Sequence, residues 1–230
     1  MIGKASAVEM RIIARISTPF DEKFGVPRQS GLVDTASQIL FEPEFRSVEA
    51  VRGLEGFSHL WLLWHIDRNG DKWSPTVWPP RLGGNRRLGV FATRSPFRPN
   101  PIGLSCVELE KVDFDAPNGP VLHVRGADLV DGTPIFDIKP YVPYCDAHSD
   151  ARGGFTDEQE FTALEVDFSS ALLEKVPQEL RDSLLATLAG DPRTRYQDDP
   201  ERVYGLSFGG QNVRFRVAGK VLTVVEVETA

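Results

Sequence analysis

Three clusters in this 230-residue chain carry side chains suited to binding or chemistry. The densest is Gly89 to Ser105, GVFATRSPFRPNPIGLS, where Pro96, Pro99 and Pro101 fix three φ angles within six residues. Arg94, Arg98 and Asn100 ride on that stiff frame, so little side-chain ordering is left for a ligand to impose. Two guanidiniums and an amide held in this way suit a planar or anionic group. The same composition also describes a proline-rich connection with solvated arginines. A second cluster, Pro27-Arg28-Gln29, reads as either a turn or a ligand-facing loop. The third, Asp128 to Asp146 (DLVDGTPIFDIKPYVPYCD), combines four aspartates with Lys139, Tyr141 and Tyr144 among further prolines. Asp137 and Lys139 stand two apart on an expected strand and so share a face with Tyr141. They form either an ion pair or a tuned acid–base couple in a pocket.

The elements expected to hold these clusters are mostly short strands. Met10–Ser17 alternates, with Ile12, Ala14 and Ile16 on one side, and Pro19 ends it. Ser37–Phe41 is a second strand, and Pro43–Val51 a short helix burying Phe45, Val48 and Val51. Ser58–Ile66 is apolar enough for burial on both faces. Val90 to Ala92 begins the central cluster as a strand, after an irregular stretch from Trp73 to Asn85. Leu104–Phe114 alternates, Asn118-Gly119 turns into Val121–Val130, and Asp131-Gly132-Thr133-Pro134 turns into Ile135–Tyr141. Glu160–Phe168 is expected as the last strand of this unit. About seven to eight short strands with little helix predict a mainly β fold, a closed or nearly closed barrel. Composition then shifts. Ser170–Ala189 has helical spacing, broken near Pro177, and Val213–Val217 with Lys220–Val227 form a hairpin. The expected division is therefore a barrel over 1–167 and a small α+β domain over 168–230.

Composition narrows the partners. With 41% apolar and 26% charged residues the chain is an ordinary globular one, and His59–Ile66 is far shorter than the roughly 18 residues of a membrane helix. Nothing resembles a secretory leader, and the two cysteines, Cys106 and Cys145, suggest a reducing cytoplasm. The net charge of −7 argues against nucleic acid at first sight. Yet no Asp or Glu occurs from Trp73 to Val107, where Arg81, Arg86, Arg87, Arg94 and Arg98 lie. Such a segment focuses an anionic ligand locally. No Rossmann fingerprint, P-loop or nucleophile elbow is present, and the four histidines lack metal-ligand spacing. No metal is expected.

At these residues the chain resembles the TsaA/TrmO family of tRNA N6-methyltransferases. The run Gly89-Val90-Phe91-Ala92-Thr93-Arg94-Ser95 followed by Arg98-Pro99-Asn100 fits the family signature. Val26-Pro27-Arg28-Gln29, Gly56-Phe57-Ser58-His59, Pro80 to Gly84, DLVDGTP and DIKPY support it. The likeness covers residues 10 to 167, and the tail, with Asp191-Pro192-Arg193 and Tyr204-Gly205, is similar to the extra C-terminal domain of bacterial members. The resemblance implies S-adenosylmethionine held by a β-barrel, methylation of threonylcarbamoyladenosine at tRNA position 37, and a homodimer with sites near the interface. Carried over by motif, the cofactor contacts are Pro27, Arg28, Gln29, His65, Ile66, Arg94, Leu104, Asp131, Gly132, Thr133 and Pro134. His65-Ile66 stands where the family has His-Gln, so only backbone serves at Ile66. For the chemistry, Asp137 or Tyr141 is expected to take the N6 proton while Lys139 orients the substrate carboxylate. Arg81, Arg86, Arg87, Arg98, Arg193 and Arg195 are the expected tRNA contacts. Two other readings share these residues: a non-catalytic RNA- or anion-binding barrel, and a methyltransferase with another substrate.

Overall fold

The computed structural model describes residues 8–70, 72–79, 86–158, 162–193 and 199–229. The strands run in order as β1 (Ala14–Ser17), β2 (Ala36–Phe41), β3 (His59–His65), β4 (Thr76–Val77), β5 (Leu88–Gly89), β6 (Ile102–Asp113), β7 (Val121–Arg125) and β8 (Pro134–Pro140). Then follow β9 (Glu165–Asp167), β10 (Tyr204–Phe208), β11 (Gln211–Ala218) and β12 (Val221–Thr229). Helices are few: α1 (Val48–Val51), α2 (Pro143–Asp146), α3 (Ser170–Leu173) and α4 (Gln178–Ala189).

Six antiparallel strands close a barrel in the order β1-β2-β7-β6-β3-β8, with β8 returning to β1. Closure removes the exposed edges that an open sheet would leave. Alternation supplies the interior: Ala14, Ile16, Ile39, Leu60, Leu62, Val107, Leu122 and Val124 point inward and are buried. Two bulges interrupt the alternation where the barrel must bend. One falls opposite Leu63 and Trp64, and lets Ile135 and Ile138, three apart, both pack on the core. The other gives Leu109 and Val112 the same privilege.

The barrel has fewer strands than the spacing of turn signals suggested, for two reasons. Val90–Ala92 is a 3-10 turn, not a strand, and the two-residue β5 before it pairs with β4 outside the barrel. The segment expected as the last barrel strand is instead β9, which pairs in parallel with β12. It joins a four-stranded sheet of order β10-β11-β12-β9. A short apolar strand has no sequence mark for which core it enters. The Pro43–Val51 helix is also divided, into a 3-10 turn over Pro43–Phe45 and α1; Val51 is buried and Val48 exposed. Pro177 stands between α3 and α4 as expected, and Leu184 and Leu188 bury one face of α4 in the second core.

The two cores are joined by a segment of the first half. Phe20 and Phe24 leave β1 and pack into the C-terminal core, Phe20 edge-on to Phe208 with ring centroids 5.4 Å apart. Asp21 Oδ2 accepts hydrogen bonds from Ser207 Oγ (3.1 Å) and the Gly210 amide (3.2 Å), and the Gly209 amide donates to Pro19 O (2.7 Å). The loop that follows, Val26 to Ser30, is thereby seated on the C-terminal sheet.

Candidate active site

Strand direction decides where the clusters meet. β1, β3 and β7 end, and β2, β6 and β8 begin, at the same mouth of the barrel, so the loops 18–35, 66–101 and 126–133 converge there. They enclose a cavity of about 420 Å³. That volume lies within the range of small-molecule and cofactor sites.

The two proline-braced clusters come together in its wall. Arg94 Nη1 donates to Gln29 Oε1, and Gln29 Nε2 donates to Arg28 O. Arg98 Nη1 donates to Val90 O (3.1 Å) and Thr93 O (2.7 Å), which fixes the loop that carries Arg94. Of the expected cofactor contacts, Pro27, Arg28, Gln29, Ile66, Arg94, Leu104 and Thr133 line the cavity. Asp131, Gly132, Pro134 and His65 are not among its lining residues. Asp131 Oδ1 accepts the Thr18 amide (2.9 Å) and its carbonyl accepts Arg68 Nη2 (2.7 Å). Gly132, at φ 75°, makes the turn that a side chain would strain, and its carbonyl accepts Arg15 Nη1 (3.0 Å). Pro134 pairs across from Arg15 at the start of β8. His65 turns outward onto Phe136, ring centroids 5.4 Å apart.

The third cluster divides between the cavity and the outside of the barrel. Asp137 pairs across from Leu63 and Lys139 across from Trp61, so both stand on the outer face, alternating with the inward Ile138. Lys139 Nζ lies 2.8 Å from Asp137 Oδ2 as a half-exposed ion pair. Tyr141 packs beside Trp61, centroids 5.8 Å apart. Within one chain none of these three is among the residues lining the cavity. The alternation that turns hydrophobic residues into the barrel puts Asp137 and Lys139 on its outer face.

Two carboxylates among the described residues line the cavity, the exposed Asp67 and the largely buried Asp128, which the sequence showed only as one of four aspartates in the third cluster. Trp64 Nε1–H donates to Ser105 Oγ (3.0 Å), and the Ser105 hydroxyl donates to Asp128 Oδ1. Burial pushes the Asp128 carboxyl above its ordinary value, with the Ser105 hydrogen bond and the nearby Arg94 charge opposing that shift. Trp64 forms part of the wall because Gly103, its cross-strand partner, has no side chain; a Cβ there would lie 2.1 Å from Trp64 Cε2. No periodicity in the sequence announces a pairing between residues 39 apart. Lys23 and Arg68 complete the rim, Lys23 Nζ donating to Arg68 O and Asn69 Oδ1.

The expected RNA contacts are dispersed. Arg81 and Arg195 lie outside the described residues. Arg86 is 3.2 Å from Glu158 Oε2, and Arg87 stacks over the Trp78 ring at 5.3 Å. Arg98 lines the cavity. Arg193 is only 9% exposed, clasped by both Asp191 oxygens at 2.9 and 3.0 Å, and its carbonyl accepts Arg28 Nη2 (3.5 Å). It is a brace between the C-terminal unit and the Arg28 loop, facing away from solvent.

The residues of this cavity fit a zwitterionic, cationic nucleoside. Arg94 and Arg28 offer charge to a carboxylate, Asp128 offers an anion to an ammonium or sulfonium, and Pro27, Trp64, Ile102 and Leu104 offer apolar surface to a base. Comparison with known proteins agrees with this chemistry. The family model described as tRNA-methyltransferase O N-terminal domain matches residues 15–147, and the TrmO C-terminal domain model matches residues 161–230. A tRNA (adenine(37)-N6)-methyltransferase of Escherichia coli K12 is 42% identical over 234 residues, spanning 97% of this chain and 99% of that protein. A Pseudomonas aeruginosa protein named as a candidate S-adenosylmethionine-dependent methyltransferase, RcsF, is 45% identical over 84% of this chain and 86% of its own length. The crystal structure of TrmO from P. aeruginosa superposes with a TM-score of 0.80 at 34% identity, covering 99% of this chain and 100% of the other. With both halves matched and the barrel shared, the chain belongs to the tRNA-methyltransferase O family.

Proposed function

We propose that this protein transfers a methyl group from S-adenosylmethionine to N6 of the adenosine at tRNA position 37, and that the accepted base carries the threonylcarbamoyl group. The single observation carrying the reading is the convergence of Arg94, Gln29 and Asp128 in one cavity at the barrel mouth. The names of the relatives support it. When bound, the cofactor supplies an electrophilic methyl on a cationic sulfur.

The chain's own contribution is placement and charge. Arg94, held by Gln29, and Arg28, held against the Arg193 carbonyl, receive the amino-acid carboxylate. Asp128, fixed through Ser105 and Trp64 and largely buried, faces the donor's positive charge. Trp64 and Leu104 shape the apolar wall, so that an incoming nucleophile meets a donor in one orientation. The N6 proton leaves to solvent at the open mouth as the methyl arrives; the N6–H of a threonylcarbamoyladenosine is urea-like and more readily given up than that of a plain exocyclic amine, which favours the modified base as acceptor. Arg87 and Arg98 stand beside the mouth for the RNA. A homodimer in a reducing cytoplasm belongs to the same reading; half-exposed Trp61 and Leu63 beside exposed Leu104 on the outer face supply apolar surface for a second copy.

The test is incubation of the protein and S-adenosylmethionine with tRNA bearing or lacking the threonylcarbamoyl group, followed by nucleoside mass spectrometry. The expected product is the threonylcarbamoyl nucleoside heavier by one methyl. Absence of methylation on either tRNA would reject the proposal; methylation of the unmodified tRNA alone would reject the acceptor.

A further inference from the structure

Beside the cavity mouth stands a narrow ribbon with aromatic rings turned to solvent. β4 pairs with β5 through Thr76–Gly89 and Val77–Leu88, and the pairing continues irregularly: the Val90 amide donates to Pro75 O (3.0 Å) and the Ser74 amide to Phe97 O (3.3 Å). Trp73 is 52% exposed, Trp78 50% and Phe91 74%. Rings this open on a stiff backbone require an explanation. Phe91 sits at the centre of a 3-10 turn closed by the Thr93 amide on Val90 O (3.1 Å) and locked again by Arg98 on the same carbonyl. Two of the rings carry a guanidinium: Arg87 lies 5.3 Å from the Trp78 centroid and Arg98 5.6 Å from that of Phe91. The ribbon runs directly into the cavity wall at Thr93 and Arg94.

We propose that this ribbon is a base-stacking arm, on which Phe91 and Trp78 receive the unpaired bases that flank the target nucleotide of the RNA loop. The inference rests on the tRNA reading above and adds a binding surface to it. A base whose exocyclic amine must enter a cavity leaves its stack, and its neighbours lose a stacking partner. Aromatic side chains at the cavity rim replace that partner, and a ring already fixed by its turn loses little freedom in doing so. Charge selects nucleic acid over a protein partner: in a chain of net charge −7, the segment Trp73 to Val107 has no carboxylate. Arg87 and Arg98 hold positive charge over the same rings that would meet the bases.

The test uses the full chain and an anticodon stem–loop RNA with 2-aminopurine next to position 37. Phe91→Ala and Trp78→Ala are each expected to weaken RNA binding by about tenfold or more. The 2-aminopurine quenching seen with wild type should be lost. Phe91→Trp should retain affinity and Phe91→Leu should not, because stacking needs a π face and not merely bulk. Neither ring lines the cavity, so calorimetric affinity for S-adenosylmethionine should be unchanged. The salt dependence should also persist, since stacking releases no counterions. Full RNA affinity in both alanine variants would overturn the arm while leaving the tRNA reading in place. A wild-type protein that dimerises through the ribbon, with both variants becoming monomers in sedimentation, would likewise overturn it and show a protein interface. Wild type without measurable affinity for the stem–loop would remove the tRNA reading itself and the arm with it.

Discussion

Gly25 lies against Leu206: a Cβ on the glycine would stand 2.2 Å from Leu206 Cδ1. Gly25 also holds φ at 94°, a conformation unfavourable for any residue with a side chain. The contact seats the Val26–Ser30 loop on the second core, so the C-terminal unit shapes the cavity although none of its described residues lines it. Gly25→Ala should therefore lower stability by about 1–3 kcal/mol, from backbone strain and overpacking together. Combining it with Leu206→Ala should restore no stability, because the second substitution opens space yet leaves the φ strain and adds a cavity. Thermal unfolding of the three proteins checks this. A Gly25→Ala protein as stable as wild type would show that the loop is not seated there.

Asp128 is retained at a cost to the fold. Its carboxyl is raised in the folded state, chiefly by burial, so the folded protein holds that proton more tightly than the unfolded chain. The stabilising influence of this group is present at low pH and is lost as pH rises through its folded value. Asp128→Asn removes the buried charge and should raise the melting temperature of the ligand-free protein at neutral pH, with little change in acid. It should also weaken S-adenosylmethionine binding by about tenfold, the size of a lost charge-assisted hydrogen bond. Calorimetry and melting curves read both effects. A variant that loses stability at neutral pH would contradict the assignment.

Gly103→Ala should disturb the same wall from the opposite strand. The new methyl would displace the Trp64 indole and with it the hydrogen bond to Ser105. A loss of about 1–3 kcal/mol in stability is expected from the overpacking. Near-wild-type stability and cofactor affinity would mean that the indole can move without consequence.

Arg193 is expected to behave as a buried brace. Arg193→Ala leaves Asp191 without its bidentate partner and should cost about 3 kcal/mol, the scale for breaking a largely buried pair. Arg87→Ala, at the surface, should instead weaken tRNA binding and flatten its dependence on salt. Chemical denaturation separates the two. An Arg193→Ala protein of full stability but reduced salt slope would return that residue to the RNA surface.

What could be read in the sequence was whatever a local pattern encodes. β6 and the β11–β12 hairpin follow from alternation and turn residues, and the 27–29 and 94–98 clusters stand out as polar side chains stiffened by proline; only the family resemblance joined the two, and in the fold the Arg94–Gln29 hydrogen bond does so. Three things had no local mark. The bulge at Phe136 allows Ile135 and Ile138 to share the core, which puts Asp137 outside while a single proline-rich cluster spans both sides of the wall. The Glu165–Asp167 strand joins the C-terminal sheet through a parallel pairing with residues far along the chain. The Trp64–Ser105–Asp128 series links three separate segments, so its members look like an ordinary strand tryptophan, a strand serine and a turn aspartate.

The cavity as the seat of the methyl donor is tested most directly by calorimetric titration of S-adenosylmethionine into wild type, Arg94→Ala, Gln29→Ala and the double variant. One saturable site in wild type is predicted, weakened by either substitution, with the double variant little worse than Arg94→Ala because the two side chains act through one hydrogen bond. Saturable binding left undiminished in all three variants would place the donor elsewhere, and no binding in wild type would end the assignment.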